Sequence, residues 1–357
     1  MLADWIELRT LADPDGSFRL NNLKRFWDTN RATEDSDPEG KFSREQETDE
    51  FGVSGGDDDA FLDAVIDEIA SRATALGAAY PFAIPTEGLT VRLADPLNVG
   101  QHTYLFCLLL TNSRSGEILS GTWLPNIDNR IRDLFQACST IAAAGEVHGC
   151  AISFGWPRPD SNPPFLETLR KVYAQMGEGV PVKEIRAGAS PWAKDEEIDV
   201  IAWRPRLDGA AGTYYLLGQV ASGDNWEAKS IKGGPIDYFH RTWFDPAPPS
   251  PVTPSIFIPH AVPPFAEGSR RDRMDLLTER FGIIFDRLRV PALVLKGIEL
   301  LAANPNLTAA VSVYFHRNVF SSSGFLLGGV VALLGFFGPL RAVPALHVFH
   351  PLSPNRV

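Results

Sequence analysis

A mixed α/β fold, a sheet flanked by helices, is predicted for residues 116–300, and three observations predict it. Residues 126–144 carry Ile131, Leu134, Phe135, Cys138 and Ile141 at helical spacing. Two strand-like runs, Glu197–Trp203 and Tyr214–Ala221, flank Arg204–Thr213, whose Asp208-Gly209 and Ala211-Gly212 steps supply positive-φ positions for a hairpin connection. Short apolar runs at Cys150–Trp156 and Ser255–Pro259 read as further buried strands.

Taken from the N-terminus, the first 115 residues predict an α/β or α-rich accessory domain. The whole chain of 357 residues has a net charge of −11, and the acidity sits here: residues 1–115 hold 21 acidic against 10 basic side chains, and the remainder is balanced. The densest stretch, about 28–59, contains few apolar residues that could anchor it, and a disordered loop is expected. A calcium loop at Asp57-Asp58-Asp59 is the sharper alternative, but it lacks the ordered ligand spacing and closing Glu of an EF-hand. Asp58–Leu76 then predicts a helix, with Phe61, Leu62, Val65, Ile66, Ile69 and Ala73 on one side and Gly77 at its end. Tyr80–Pro85 and Thr103–Leu110 read as extended, although the second run is apolar throughout and fits a central strand or a buried helix equally well.

Beyond residue 115 the predicted order is helix (126–144), strand (150–156), a Pro-rich turn, a helix over Phe165–Met176, and the 197–221 hairpin. A turn entering a helix at Ser222–Lys232 and the strand at 255–259 follow. Residues 301–357 form an apolar segment and an irregular tail. No charged residue occurs from Asn318 through Leu340, so 318–340 is a candidate membrane span, while a buried helix would look similar. Three cysteines without a C-x-x-C pair point away from a disulfide framework and a thiolate metal site. An acid at Asp4 and no apolar core after it argue against a signal peptide, so a cytoplasmic location is expected, with membrane association through 318–340 as the alternative.

Chemistry is expected at the hairpin. Side chains alternate along a strand, so Asp199 shares a face with Ile201 and Trp203, and Gln219 shares one with Tyr215 and Leu217. Antiparallel pairing then brings a carboxylate and a side-chain carbonyl oxygen to one end of the sheet, as a hard divalent cation demands. P-loop and G-x-S-x-G patterns are absent, and His347 and His350 lack an H-E-x-x-H frame.

With Asp199, Gln219 and this order of elements, the chain resembles the PD-(D/E)XK superfamily of restriction-endonuclease-like nucleases, in particular its Mrr-like D…Q-x-K branch, over about residues 120–290. The segments Gly218–Trp226, Phe154–Arg158 and Gly282–Arg289 also look like nuclease-like proteins of bacterial defence clusters. The resemblance implies a restriction-endonuclease-like mixed sheet and a Mg2+-dependent endonuclease acting on DNA in anti-phage defence. It implies Mg2+ held by Asp199 and Gln219, with a lysine two residues later assisting. Ala221 stands at that lysine position, so the basic group is assigned to Lys229 on the following segment, and Gln136 occupies the place of the first-helix acid. Arg204, Arg206, Lys232, Arg241, Arg270, Arg271 and Arg273 are expected to track the DNA backbone, and Trp226 to pack against sugar or base. A protein of the same defence cluster and a homodimer are further expected partners. The alternative is an inactive nuclease-fold module that binds DNA or protein, attached to a membrane through its apolar tail.

Overall fold

The computed structural model describes residues 2–21, 55–84, 89–115, 127, 129–156, 164–264 and 268–304. The apolar segment 318–340, the irregular tail and most of the acidic stretch lie outside these residues. Among the described residues no helix is long and apolar enough to cross a membrane.

The elements are α1 (Leu2–Ala12), β1 (Ser17–Arg19), α2 (Gly55–Leu76), β2 (Phe82–Ala83), β3 (Thr90–Leu93), α3 (Val99–Ser115), α4 (Asn129–Val147), β4 (Cys150–Ser153) and α5 (Phe165–Met176). They continue with β5 (Val200–Arg204), β6 (Tyr214–Val220), α6 (Gly234–Trp243), β7 (Val252–Phe257), α7 (Arg270–Phe281), β8 (Ile283–Phe285) and α8 (Val290–Ala303). Helix α2 begins three residues before Asp58, so Asp57-Asp58-Asp59 is helical backbone rather than loop.

The five-stranded sheet has the order β4-β5-β6-β7-β8. β4, β5 and β6 form an antiparallel meander, and β7 and β8 continue it in parallel. Val200 pairs with Gly218 and Trp203 with Tyr215, the register that the alternation of the hairpin requires. Both faces are covered. Ala151, Val200, Ala202, Leu216 and Phe257 pack under α3, α4 and α8, whereas Ile152, Ile201, Trp203, Tyr215 and Leu217 pack against α5 and α6. A third cluster joins Ile256 and Ile284 to Met274, Leu277 and Phe281 of α7. β1, β3 and β2 form a small antiparallel sheet in the N-terminal region.

The apolar run at 103–110 is helical, within α3, and packing explains why. Tyr104, Leu105, Leu108 and Leu109 enter the N-terminal core, while Phe106, Cys107 and Leu110 enter the core beneath the large sheet. Those are the two opposite stripes of one buried helix. Helices α4 and α8 lie backbone to backbone: a Cβ on Gly145 would meet the Leu293 carbonyl, and one on Gly297 the Ile141 carbonyl, each inside 3.0 Å. This close approach fixes α4 against the sheet and therefore fixes Gln136, which projects from it.

Candidate functional site

Asp199 precedes β5 by one residue, but its backbone still belongs to the ladder. Its N–H donates to Gly218 O at 2.9 Å, and its carbonyl accepts from Phe154 N at 2.7 Å and Gly155 N at 3.1 Å. The residue is thus clamped between the end of β4 and the end of β6. Its carboxylate Oδ2 accepts from Gln219 Nε2 at 2.6 Å and from Val220 N at 2.7 Å. The acid and the amide singled out on separate strands do meet.

Gln136 reaches the same place from α4. Its Nε2 donates to Ser153 Oγ at 2.6 Å. A Cβ at Gly155 would fall within 3.0 Å of both Asp199 Oδ1 and Gln136 Nε2. Only a residue without a side chain fits so close against the two. Ser153 and Gly155 were not singled out from the sequence; a Gly after an apolar strand is the one local signal, and it does not say what would lie against it.

Burial raises the Asp199 carboxyl to about 7; the Val220 N–H opposes it, Asp195 adds to it, and Lys229 and the Gln219 amide oppose it. Asp199 is only 9% exposed, so desolvation dominates. Lys229 is exposed and acts on Asp199 through space, with no hydrogen bond between them. It caps the 3-10 turn Asp224–Ala228, its N–H donating to Trp226 O at 2.9 Å. Trp226 is buried against Phe281, with ring centroids 5.4 Å apart, and anchors that turn. It offers no face to a base, contrary to the sequence expectation. Ala221 lies in the same apolar cluster and is 1% exposed. Trp226, Ile256 and Phe281 crowd that cluster, so a lysine there would bury an uncompensated ammonium.

The arginines expected along a DNA backbone are mostly engaged elsewhere. Arg204 sits at the far end of β5, about 16 Å of strand from Asp199 at roughly 3.3 Å per residue, and donates to Val147 O at the end of α4. Arg206 binds Gly212 O within the hairpin loop. Arg241 donates to its own helix at Asp237 O. Lys232 caps α7, its Nζ 2.7 Å from Glu279 O. Arg270 pairs with the buried Asp286 at 2.7 Å, and Arg273 with Glu227 at 3.4 Å. Arg271 is exposed in the first turn of α7. The sequence could not separate arginines that serve backbone carbonyls from those left for a ligand, because the carbonyls come from distant elements.

Asp199, the side-chain amides of Gln219 and Gln136, and Ser153 Oγ gather at the ends of β4 and β6, each amide turning its NH2 inward, toward Asp199 Oδ2 and Ser153 Oγ respectively. Among the described residues no three of His, Cys, Asp and Glu gather as metal ligands. A single carboxylate with neutral oxygens suits a weakly held hard cation that takes its remaining ligands from water and phosphate, and does not suit zinc. In the present arrangement the Gln219 NH2 faces Asp199; rotation of the amide would turn its oxygen to a cation. Comparison with protein-family models, with curated proteins and with solved structures yields no match to this chain.

Proposed function

We propose that the protein is a Mg2+-dependent endonuclease that hydrolyses DNA phosphodiester bonds at the end of β5 and β6, in a defence setting that the resemblance to restriction-endonuclease-like nucleases implies. The observation that carries this reading is the meeting of Asp199 and Gln219 on adjacent strands, with Gln136 beside Gly155 and the charge of Lys229 acting on Asp199. A mixed sheet flanked by helices is what the resemblance implies, and the antiparallel and parallel pairings of β4 to β7 are compatible with it.

Asp199 and Gln219 would hold the cation, with Gln136 and Ser153 lining its other side. Mg2+ there supplies positive charge at the phosphate and acidifies a water. The chain's own contribution is position and field. Val220 N–H fixes Oδ2 of Asp199, so one oxygen has a set direction while Oδ1 lies against Gly155. Lys229 stands at the exposed rim, where an ammonium stabilises charge developing on a phosphoryl oxygen. Its turn is held by Trp226, which gives a flexible side chain a fixed root.

Incubation of the full chain with supercoiled plasmid tests this reading. Nicking is expected with Mg2+ and not with EDTA, abolished by Asp199→Ala and reduced by roughly 100-fold or more in Lys229→Ala, a loss of the size that follows removal of one preorganised charge-stabilising donor. Nicking that survives Asp199→Ala unchanged would mean that the site is elsewhere.

A further inference from the structure

We infer that Trp156 and Lys194 form a stacking shelf at the mouth of the Asp199 site, and that the strand it accepts is unpaired next to the scissile phosphate. This deepens the proposed endonuclease reading and rests on it for the position of the phosphate.

Trp156 directly follows Gly155, whose backbone lies so close to Asp199 Oδ1 that a Cβ would not fit. It is a large apolar side chain exposed at the surface, 38% accessible, in a place where the sheet itself ends. Contacts from the neighbouring turn hold it. Its backbone N–H donates to Asp195 Oδ2 at 2.9 Å, and the Lys194 ammonium lies 5.9 Å from its ring centroid, within cation–π range. Asp195 also accepts from Glu197 N at 3.1 Å, so one acid holds both Trp156 and the turn that leads into Asp199.

An indole face flanked by an ammonium matches a nucleobase joined to a phosphate. In an intact duplex both faces of a base are covered by its neighbours, so a protein ring can stack only on a base that is unpaired, flipped or at an end. The charges agree with this. Asp195, Glu196 and Glu197 follow Lys194 directly, and their charges oppose any phosphate brought close to them, so this surface favours a neutral base face over a backbone. Glu196 and Glu197 hold positive φ of 53° and 66°, a backbone conformation rare outside glycine. The turn that delivers Asp199 and the shelf is therefore held in a strained form, as ligand-facing segments often are.

The test measures binding of the full chain, in EDTA, to a fluorescein-labelled single strand and to the same strand annealed to its complement. The single strand is expected to bind more tightly and to quench tryptophan emission. Trp156→Ala is expected to weaken single-strand binding by roughly 5- to 100-fold, the range for loss of one base–aromatic stack, with duplex binding unchanged. Trp156→Phe should restore most of it, and Lys194→Gln should give a smaller loss. Unchanged single-strand affinity in a folded Trp156→Ala protein, an equal loss on both ligands, or no binding by the parent chain would each overturn the inference. Its failure is distinguishable from failure of the endonuclease reading. Asp199-dependent nicking with no single-strand preference would remove the shelf and keep the enzyme; a Trp156-dependent preference with Asp199-independent nicking would do the reverse.

Discussion

Asp199 receives two hydrogen bonds and the field of a lysine, and still its carboxyl stands near 7, because burial and Asp195 outweigh them. The usual carboxylate value of 3.8 applies to the unfolded chain, so between that pH and about 7 the folded protein holds a proton that the unfolded chain has released. Stability from this group is therefore complete at low pH and is lost as pH rises through about 7. Asp199→Asn should be close to neutral near pH 4 and should stabilise the protein near pH 8 by up to about 4 kcal/mol, at about 1.4 kcal/mol per pKa unit. Urea unfolding at the two pH values, without divalent ions, measures it. Equal stabilities of parent and variant at pH 8 would remove the energetic argument for a functional carboxylate at this place. Ala221→Lys, which places a lysine two residues after Gln219, is expected to destabilise by at least about 2 kcal/mol and to add no activity, because the position is sealed by apolar side chains. Much of this was legible in the sequence: an acid and an amide on strands that need neither. Gly155 and Ser153 were not, since a missing side chain and a hydroxyl acquire meaning only when β4 is laid beside β5.

At the scale of elements, the hairpin was legible because two short apolar runs flank a connection that contains glycines at positive φ, Gly209 and Gly212. Helix α3 was not, because an unbroken apolar run has no period to read; two separate cores claim its opposite sides. The Asp224–Ala228 turn is a short 3-10 element whose position depends on one buried ring. Trp226→Ala should cost about 3–5 kcal/mol, the range for large aromatic truncations in a core, and should lower nicking along with Lys229→Ala because the lysine loses its root. Thermal melts and plasmid assays on the same preparation separate the two effects; a destabilised variant with full activity at low temperature would contradict the anchoring role. Gly145→Val, aimed at the α4–α8 backbone contact, is expected to destabilise by about 1–3 kcal/mol or more, as overpacking does, and to displace Gln136 with its helix.

Across the whole molecule, a buried charge network ties the first helix to the last strands. Asp4 pairs with Arg72 at 2.6 Å and with Arg287 through both oxygens, while Glu7 takes Arg72 at 3.0 Å and the hydroxyls of Tyr80 and Tyr104. Burial alone would push Asp4 up, but Arg287 and Arg72 hold its carboxyl well below the usual range. Asp4→Ala leaves two arginines buried without it and should cost about 3–5 kcal/mol, read as a fall in the urea midpoint; a loss under about 1 kcal/mol would mean that the network is dispensable. None of its pairings was legible, since residues 4, 72 and 287 meet only in the folded chain. The same long-range assembly brings α4, β4, β5 and β6 together around Asp199, and whether that place holds a cation is the claim on which the enzymatic account stands. Titration of Mn2+ followed by the electron paramagnetic resonance of the free ion tests it directly. The account predicts that the parent chain removes free Mn2+ signal and that Asp199→Asn does not; identical titrations of the two proteins would contradict it.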